Sequence, residues 1–310
     1  MSVPEDHPRQ IDPRYAMYAG YASIVVVAIL IFTKTLAYYA SGSSSVLSSL
    51  TDSVLDSVVS LMALGSIYYA QRPADEDHRW GHGKMEGVSA LFQSAVIFGG
   101  GFFLVLEAFT RFLSPVPVTH HMLGIGVMGL SIVLSAALVA IQRSSLNKAP
   151  SLAVEADSLH YGSDVIINAG VIIILLLTAN GAPLWIDPLF TIAVAVMLAV
   201  MARRIGGKAV DMLLDRELPD AERDRLIEII ATHEGVKGWH DLRATRHGMG
   251  VVVSVDIEVA ADLSLLAAHD IARQVESKIL ESFPYAEILI HVDPEGDTED
   301  TRHKIQGVHT

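Results

Sequence analysis

The stretch Val46–Ala70, VLSSLTDSVLDSVVSLMALGSIYYA, is long and apolar enough to cross a bilayer, yet it carries two carboxylates, Asp52 and Asp56. A second apolar stretch carries His160 and Asp164 at the same spacing. Residues i and i+4 share one face of a helix, about 6 Å apart along its axis. Ionisable side chains are costly in lipid and normally face a bundle interior. Two facing pairs would supply three carboxylates and one imidazole, a tetrahedral ligand set for a divalent metal, which predicts a metal transporter.

The composition places the chain among membrane proteins. Of its 310 residues, 51% are hydrophobic and 18% are charged, and the mean hydropathy is +0.40. Residues 17–206 carry this apolar character, whereas residues 211–310 have the composition of a soluble domain. The formal net charge of −13 argues against nucleic-acid binding, which requires a basic surface. The chain has no cysteine, which excludes disulfides, thiolate metal sites and cysteine nucleophiles.

Six apolar stretches reach the length of roughly 20 residues that a hydrocarbon core requires. Membrane helices are therefore predicted at about 17–39, 45–70, 88–112, 121–143, 151–178 and 184–206. The N-terminus is polar and has no signal-peptide pattern, so we expect the first span to be an uncleaved anchor.

Positive charge predicts the orientation of these spans. Lys and Arg lie before the first span, in alternate connections and after the last span, and the remaining connections have none. The positive residues are Arg9, Arg14, Arg72, Arg79, Lys84, Arg143, Lys148, Arg203, Arg204 and Lys208. Because such residues concentrate on the cytoplasmic side, both termini are predicted to be cytoplasmic.

The C-terminal region predicts a small α+β domain in the order αββαβ. Asp220–His233 and Leu263–Phe283 have helical periodicity, and Asp220 is expected to cap the first of these helices. Strands are predicted at Val236–Arg246, Gly250–Val259 and Ala286–Val292. This order suits an open sheet with helices on one face.

Three strings, taken in order, are distinctive: Leu50–Asp56, Ala156–Asp164 and the loop His78–Glu86, HRWGHGKME. With them the chain resembles the cation diffusion facilitator family, and within it the bacterial FieF/YiiP type, over roughly residues 15–294. The resemblance implies a homodimeric metal/proton antiporter of the bacterial inner membrane, not an enzyme. It also implies a membrane α-helical fold with six transmembrane helices and a ferredoxin-like cytoplasmic domain.

Four segments follow from this organisation. They are a cytoplasmic N-terminal segment (1–16), a transmembrane domain (17–208), a cytoplasmic metal-binding and dimerisation domain (209–294) and a tail expected to be disordered (295–310).

The resemblance places the family's transport site on Asp52, Asp56, His160 and Asp164. Because metal ligands must be deprotonated, protons and metal displace each other there, and imidazole titrates near neutral pH. The alternative is that these polar residues only join helices by hydrogen bonds. Nearby, Lys34 is expected to snorkel to the outer interface. Asp157, one turn before His160, either lines the cytoplasmic mouth or is a polar helix start.

Two further metal sites and one charge pair follow from the resemblance. The loop site maps to Asp75, His78 and His82, with Asp77 as a substitute for Asp75; the alternative is a solvated polar loop. The cytoplasmic binuclear site maps to His240, Asp256, His269, His291 and Asp293. The charged interlock maps to Lys84 and Asp215, with screened surface charges as the alternative.

The cytoplasmic site departs from the family pattern. The relatives have histidine where this chain has Asp256, and Val292 replaces a glutamine. Asp256 either binds metal through oxygen or is an outward-facing surface residue. His233 and His247 have no counterpart in the site and are expected at the surface.

The ligand chemistry limits the substrate. Three oxygens and one nitrogen form a harder set than two histidines and two aspartates. Zn²⁺ and Fe²⁺ are the expected substrates, with Mn²⁺ and Cd²⁺ tolerated, and zinc is also expected as a structural or regulatory ligand. Protons are the counter-ion and the lipid bilayer is the surrounding medium.

Other function classes are less consistent with the sequence. An intramembrane metalloprotease would need a motif such as His-Glu-x-x-His, and no Walker A pattern is present for ATP-driven transport. A membrane-anchored metal sensor or a passive divalent-metal channel stays open as an alternative.

Overall fold

The computed structural model describes residues 12–42, 44–113, 122–183 and 185–296. Within these ranges, six long helices precede a small α+β unit. The six helices are α1 (Arg14–Ser41), α2 (Ser44–Ala70), α3 (Met85–Leu113), α4 (Met122–Leu146), α5 (Leu152–Ala179) and α6 (Ile186–Leu213). Arg9, most of the predicted N-terminal segment and most of the predicted tail lie outside the described residues.

The length and composition of all six helices would let them cross a membrane, which confirms the predicted spans. At 1.5 Å per residue, a helix of 28 residues such as α1 is about 42 Å long and exceeds the hydrocarbon core of roughly 30 Å. Large apolar side chains such as Phe32, Phe103 and Val200 are exposed on these helices. Apolar exposure of this kind is what contact with lipid requires.

Close packing within the membrane unit depends on small residues. α3 packs along α6, and α1 packs along α2. At Gly206 of α6, a Cβ atom would lie 3.0 Å from Ser94 Oγ of α3. At Gly20 of α1, a Cβ atom would lie 2.8 Å from Leu64 Cδ1 of α2. Small residues at such crossings let helix backbones approach closely in membranes.

Buried Glu86 near the start of α3 holds the start of α5. Its Oε2 accepts hydrogen bonds from Ser151 Oγ and from the backbone N–H of Leu152, both at 2.8 Å. Ser151 Oγ in turn accepts from the backbone N–H of Val154 at 3.3 Å and caps the helix. These bonds satisfy donors that a helix start leaves open. They fix the helix that carries His160.

The second unit contains α7 (Asp220–Ala231), β1 (Gly238–His247), β2 (Gly250–Val259), α8 (Leu265–Ser282) and β3 (Ala286–Pro294). The sheet order is β1-β2-β3, with β1 antiparallel and β3 parallel to β2. The predicted αββαβ order is therefore confirmed.

The core of this unit lies on one face of the sheet. Alternate β2 residues, among them Val253 and Val255, are fully buried with Leu226 of α7 and Val275 of α8. Period-two burial leaves the even-numbered residues of β2 on the opposite face. Both helices therefore cover one face, and the other face is available for polar side chains.

Asp220 does not cap α7 as the sequence predicted. Pro219 occupies the cap position without a side-chain hydrogen bond, and Asp220 is the first helical residue. Proline fixes the backbone before the helix, so the turn starts one residue earlier than an Asp cap would allow. The carboxylate still lies in the first turn, where the helix dipole favours negative charge.

Candidate metal sites

Three predicted transport ligands come together between α2 and α5. His160 Nε2 lies 3.0 Å from Asp56 Oδ1 and 4.0 Å from Asp164 Oδ2. One ligand atom from each of these residues lies within 4.8 Å of the other two. All three side chains are largely shielded from solvent, with exposed fractions of 13% to 28%. This separation is within the range that one bound divalent ion could bridge after small adjustments.

Asp52 stands apart from this cluster. It lies one turn before Asp56 on α2, and among the described residues the cluster contains only Asp56, His160 and Asp164. Asp52 is exposed, and it interacts electrostatically with Asp56. The structure thus groups three of the four predicted ligands and leaves the fourth on the same helix, one turn away.

Lys34 contradicts the expectation that it snorkels to the outer interface. Its side chain is buried, with 6% exposed. Its Nζ donates hydrogen bonds to the backbone oxygen of Ser49 at 3.1 Å and to Ser53 Oγ at 2.7 Å, both on α2. Sequence position near a helix end suggests snorkelling, but accepting groups on the neighbouring helix retain the ammonium inside the bundle.

Asp157 is buried at the centre of a polar network, with 2% exposed, which fits neither a cytoplasmic mouth nor a plain helix start. Its Oδ2 accepts hydrogen bonds from Ser23 Oγ of α1 at 2.6 Å and from Gln142 Nε2 of α4 at 2.7 Å. Its Oδ1 accepts from Ser60 Oγ of α2 at 3.4 Å, and Ser60 also bonds Tyr161 OH at 2.9 Å. This carboxylate therefore joins α5 to three other helices.

The hydrogen-bond partners of Asp157 were not predicted from the sequence. Ser23, Ser60 and Gln142 are polar residues inside apolar spans. Their location in these spans is the one sequence feature that indicates a role in bonding between helices. Polar side chains in such spans often bond across helices. Which helices meet could not be read from the sequence.

The loop candidates are partly engaged in local bonds. Asp75 Oδ1 accepts from the backbone N–H groups of Asp77 at 3.0 Å and His78 at 2.7 Å. His78 Nδ1 lies 3.3 Å from the same oxygen. His82 is buried, and its ring centroid lies 4.5 Å from that of Tyr69. Asp75 and His78 belong to one unit and His82 to the other, so the predicted loop metal site stays a prediction.

Four predicted cytoplasmic ligands lie on adjacent strands. His240, Asp256 and His291 are aligned across β1, β2 and β3. His240 Nδ1 lies 3.8 Å from Asp256 Oδ2, and its Nε2 lies 3.6 Å from Asp293 Oδ2. His291 Nε2 lies 3.0 Å from Asp293 Oδ1. The row places imidazoles and carboxylates on the sheet face opposite the core.

Burial raises the pKa of Asp256 above its ordinary value, while His291 and His240 oppose this shift. Asp293 Oδ2 is buried and accepts no hydrogen bond from the residues that the structure describes, although His240 Nε2 lies 3.6 Å away. A buried carboxylate oxygen without a hydrogen bond is costly, and a bound cation would satisfy it. The residues present therefore fit a divalent metal. Asp256 lies in this row on the sheet face opposite the core, and its role as a ligand stays a prediction.

Two acidic residues that were not predicted from the sequence also belong to this row. Asp241 groups with His240 and Asp256, at a bulge in β1 where its φ is +49°. Glu258 Oε1 lies 4.0 Å from His240 Nε2. Glu258 was detectable because it is two residues after Asp256 on one strand and so shares its face. Asp241 was not, because a bulge changes which residues share a face.

Other predicted positions lie elsewhere. His269 is exposed on α8, and the described residues place it in no ligand group. Val292 packs against the hydrophobic core. His233 is buried, not at the surface, and its Nδ1 accepts from the backbone N–H of Gly235 at 3.2 Å.

His247 is also not a plain surface residue. Its side chain is 15% exposed, and its Nε2 lies 3.1 Å from Oδ1 of Asp215, whose φ is +56°. The residues of the predicted interlock, Lys84 and Asp215, belong to different units, and their pairing stays a prediction.

Comparison with known proteins covers almost the whole chain. A family model described as "Cation efflux transmembrane domain" matches residues 20–214, and one described as "Cation efflux protein, cytoplasmic domain" matches residues 218–295. The chain is 39% identical over 296 residues to the cation-efflux pump FieF of Yersinia pestis (strain Pestoides F), covering 94% of this chain and 98% of that one.

Two solved structures resemble only the C-terminal region. The metal-bound C-terminal domain of the CzcD transporter from Thermotoga maritima is 26% identical and covers 26% of this chain and 100% of its own, with a TM-score of 0.25. CzrB in its Zn form is 28% identical and covers 28% of this chain and 99% of its own, also with a TM-score of 0.25.

Proposed function

Because this chain belongs to the cation diffusion facilitator family of cation-efflux transporters, as a FieF-type member, we propose that it exports Zn²⁺ and Fe²⁺ from the cytoplasm in exchange for protons. Membership already makes it a multi-pass transporter of divalent metal cations and not an enzyme. Beyond family membership, we propose which metals are transported, that protons are the counter-ion, that transport leads out of the cytoplasm, and which residues bind the metal.

The observation that carries the proposal is the cluster of Asp56, His160 and Asp164 on α2 and α5. Its ligand atoms lie within 4.8 Å of one another, inside a unit whose six helices have the length and composition of membrane spans. Asp52, one turn away, would supply the fourth ligand by a change of side-chain rotamer. Three oxygens and one nitrogen around one ion match the tetrahedral preference of zinc.

Proton exchange follows from the same residues. His160 Nε2 and Asp56 Oδ1 lie at hydrogen-bond distance, 3.0 Å, so the two ligands can share one proton. Binding of a divalent cation requires the bare ligands and expels such protons, and protonation expels the cation. A proton gradient across the membrane would therefore drive metal export.

The oxygen-rich ligand set supports a broader substrate range than zinc alone. Carboxylates suit Mn²⁺ as well as Fe²⁺, whereas imidazole suits zinc and iron. We therefore include Mn²⁺ and Cd²⁺ as tolerated substrates. In the order of intrinsic affinity, zinc exceeds iron and iron exceeds manganese.

Direction and location are inferred from charge. Lys and Arg lie in alternate connections, among them Arg72 and Arg143, and this pattern favours cytoplasmic termini. We propose the bacterial inner membrane, with residues 209–294 as a cytoplasmic domain that forms a homodimer. The family model that matches residues 218–295 is named as a dimerisation domain, which supports this assembly.

The cytoplasmic row would hold a structural or regulatory metal. His240, Asp256, His291 and Asp293 would be its ligands, and such an ion would supply charge that satisfies the buried oxygen of Asp293. His269 would have to move to contribute. Asp75, His78 and His82 would form a weaker site in the loop.

The test is metal uptake into proteoliposomes under an imposed pH gradient. Zn²⁺, Fe²⁺, Mn²⁺ and Cd²⁺ would be compared for the wild type and Asp56→Ala. Glu155→Gln is a matched control, because Glu155 is also a carboxylate of the membrane unit but pairs with Lys208 away from the cluster. Gradient-dependent flux that is lost only in Asp56→Ala is the expected result.

Three other outcomes would change the proposal. Absence of flux for every metal in folded protein would favour a metal sensor. Flux that ignores the pH gradient would favour a passive channel. Gradient-driven flux that survives in Asp56→Ala would keep antiport and move the site elsewhere.

A further inference from the structure

A lysine lies buried beside the candidate transport site, where a second cation is unexpected. Lys34 of α1 reaches α2, and its Nζ donates to the backbone oxygen of Ser49 at 3.1 Å and to Ser53 Oγ at 2.7 Å. Ser53 is the residue that follows Asp52 and precedes Asp56 by three positions. Two hydrogen bonds from a buried ammonium hold its charge in one place.

The carboxylates of the site are the electrostatic partners of this ammonium. Burial disfavours the charge of Lys34, and attraction by Asp56, Asp52 and Asp164 opposes that effect. Glu107 of α3 acts on Asp52 as a further, weaker carboxylate. Within the part of the chain that the structure describes, the hydrogen bonds of Lys34 go to Ser49 and Ser53 and not to Asp52, Asp56 or Asp164. It can therefore offset their charge without blocking their oxygens.

The charges of Lys34 and the three proposed carboxylate ligands balance when one divalent ion is bound. Asp52, Asp56 and Asp164 with one ammonium sum to −2, so a divalent cation brings the sum to zero. Without the ammonium, the same three carboxylates would keep a net charge of −1 around the ion. A site shielded from water tolerates uncompensated charge poorly, because solvent no longer screens it. The more negative site would therefore hold the cation more tightly.

We propose that Lys34 is a fixed counter-cation of the transport site, which weakens metal binding enough to permit release. This inference rests on the proposed function, because it takes Asp52, Asp56, His160 and Asp164 as the transport ligands. Lys34 is a positioning residue and not a ligand, since an ammonium has no lone pair to give to a metal. It acts by repelling the divalent ion while it attracts the carboxylates.

The test separates charge from structural support. Lys34→Met removes the charge and keeps the length of the side chain, whereas Lys34→Arg keeps a charge that cannot be deprotonated. Lys208→Met is the matched control, because Lys208 is a half-exposed lysine of the same unit that pairs with Glu155. Each variant is first checked for an unchanged elution volume and unfolding temperature.

Metal affinity is measured in detergent by titration with Zn²⁺ or Cd²⁺ alone. The same variants in an Asp56→Ala background subtract ions that bind to the loop and to the cytoplasmic row. Lys34→Met should lower the Kd of the transport site roughly tenfold, because one repulsive charge at close range is removed. Lys34→Arg and Lys208→Met should retain the affinity of the wild type.

Transport kinetics give the second readout. In proteoliposomes, Lys34→Met should lower both KM and turnover at saturating metal, since tighter binding slows release. Rescue of both values by Lys34→Arg would support the counter-cation. A Kd that is unchanged or higher in Lys34→Met would overturn it and leave Lys34 as a tie between α1 and α2.

Failure of the proposed function gives a different result. If the wild type binds metal at the Asp56-dependent site but transports none, export is wrong, and the Kd comparison still decides the role of Lys34. If Asp56→Ala removes no metal binding, the site itself is wrong and the inference falls with it.

Discussion

Asp52 is the one proposed transport ligand that stands apart from the other three. Asp56 and His160 already bond each other at 3.0 Å across two helices, whereas Asp52 lies one turn away on α2. One helical turn is about 5.4 Å. A change of the Asp52 rotamer toward a bound ion would shorten the distance between its carboxylate and that ion. Asp52 is thus the ligand best placed to tune which metal is accepted.

Replacement of Asp52 by histidine should narrow the substrate range. Asp52→His exchanges an oxygen for a nitrogen, which favours Zn²⁺ over Mn²⁺. We expect the ratio of Zn²⁺ flux to Mn²⁺ flux to rise roughly tenfold, measured in proteoliposomes with both ions at equal concentration. The Zn²⁺ flux of the same protein is the internal control. An equal fall for every metal would contradict a role in selectivity.

At the scale of an element, α5 carries half of the candidate ligands, and its start is held by Glu86 of α3. Ser151 and Leu152 each donate to one carboxylate oxygen of Glu86 at 2.8 Å, and Glu86 is fully buried. His160 lies two turns further along the same helix. The position of the imidazole therefore depends on a hydrogen bond made at the helix start.

Glu86→Leu should destabilise the membrane unit. It leaves the Ser151 hydroxyl and the Leu152 N–H buried without an acceptor, each at a cost of about 1–3 kcal/mol. We expect a lower unfolding temperature and weaker binding of Zn²⁺ at the transport site. Glu86→Gln is the control, because it retains an acceptor oxygen and should lose less. Equal loss in both variants would show that charge, not the hydrogen bonds, matters.

The contact between α3 and α6 supplies a matched pair of glycines. A Cβ atom at Gly206 would lie 3.0 Å from Ser94 Oγ, whereas a Cβ atom at Gly207 would have no neighbour within 4 Å. Gly206→Val should therefore destabilise the protein by about 1–3 kcal/mol through overpacking. Gly207→Val should change little, as measured by thermal unfolding in one detergent. Equal effects would argue against close packing at this crossing.

At the scale of the whole molecule, the second unit gathers negative charge on its open sheet face. His240 is the centre of a group that includes Asp256, Asp293 and Glu258, and among the described residues nothing donates a hydrogen bond to Oδ2 of Asp293. Carboxylates gathered in this way repel one another in the folded state. A bound cation would offset that repulsion only in the folded state.

Removal of metal should therefore lower the unfolding temperature of the full-length protein. An ion present at 100 times its Kd stabilises the folded state by about 2.7 kcal/mol, and chelation with EDTA removes this contribution. Asp293→Asn should reduce the difference between Zn²⁺ and EDTA, because it removes the central carboxylate. Asp270→Asn, an exposed aspartate on α8, should retain the full difference. Identical differences in both variants would contradict a metal in this row.

The six spans, the αββαβ order and the spacing of the candidate ligands could be predicted without a structure. These features depend only on residues that are close together in the sequence. A membrane span needs about 20 consecutive apolar residues, and residues i and i+4 lie on the same face of a helix. Asp56, His160 and Asp164 could be predicted because lipid makes ionisable groups conspicuous.

Which side chains meet became clear only in the folded protein. Lys34 was predicted at the interface, but its acceptors lie on α2 inside the bundle. Asp157 was predicted either to line the cytoplasmic mouth or to be a polar helix start, but Ser23 and Gln142 donate to it inside the bundle. Asp241 joined the cytoplasmic row only through a bulge. The local sequence pattern predicts that a polar side chain is buried or lies on one face of a helix or strand. Its hydrogen-bond partners, however, come from distant segments of the chain. The pairing energy of those partners depends on packing that no short stretch of sequence encodes.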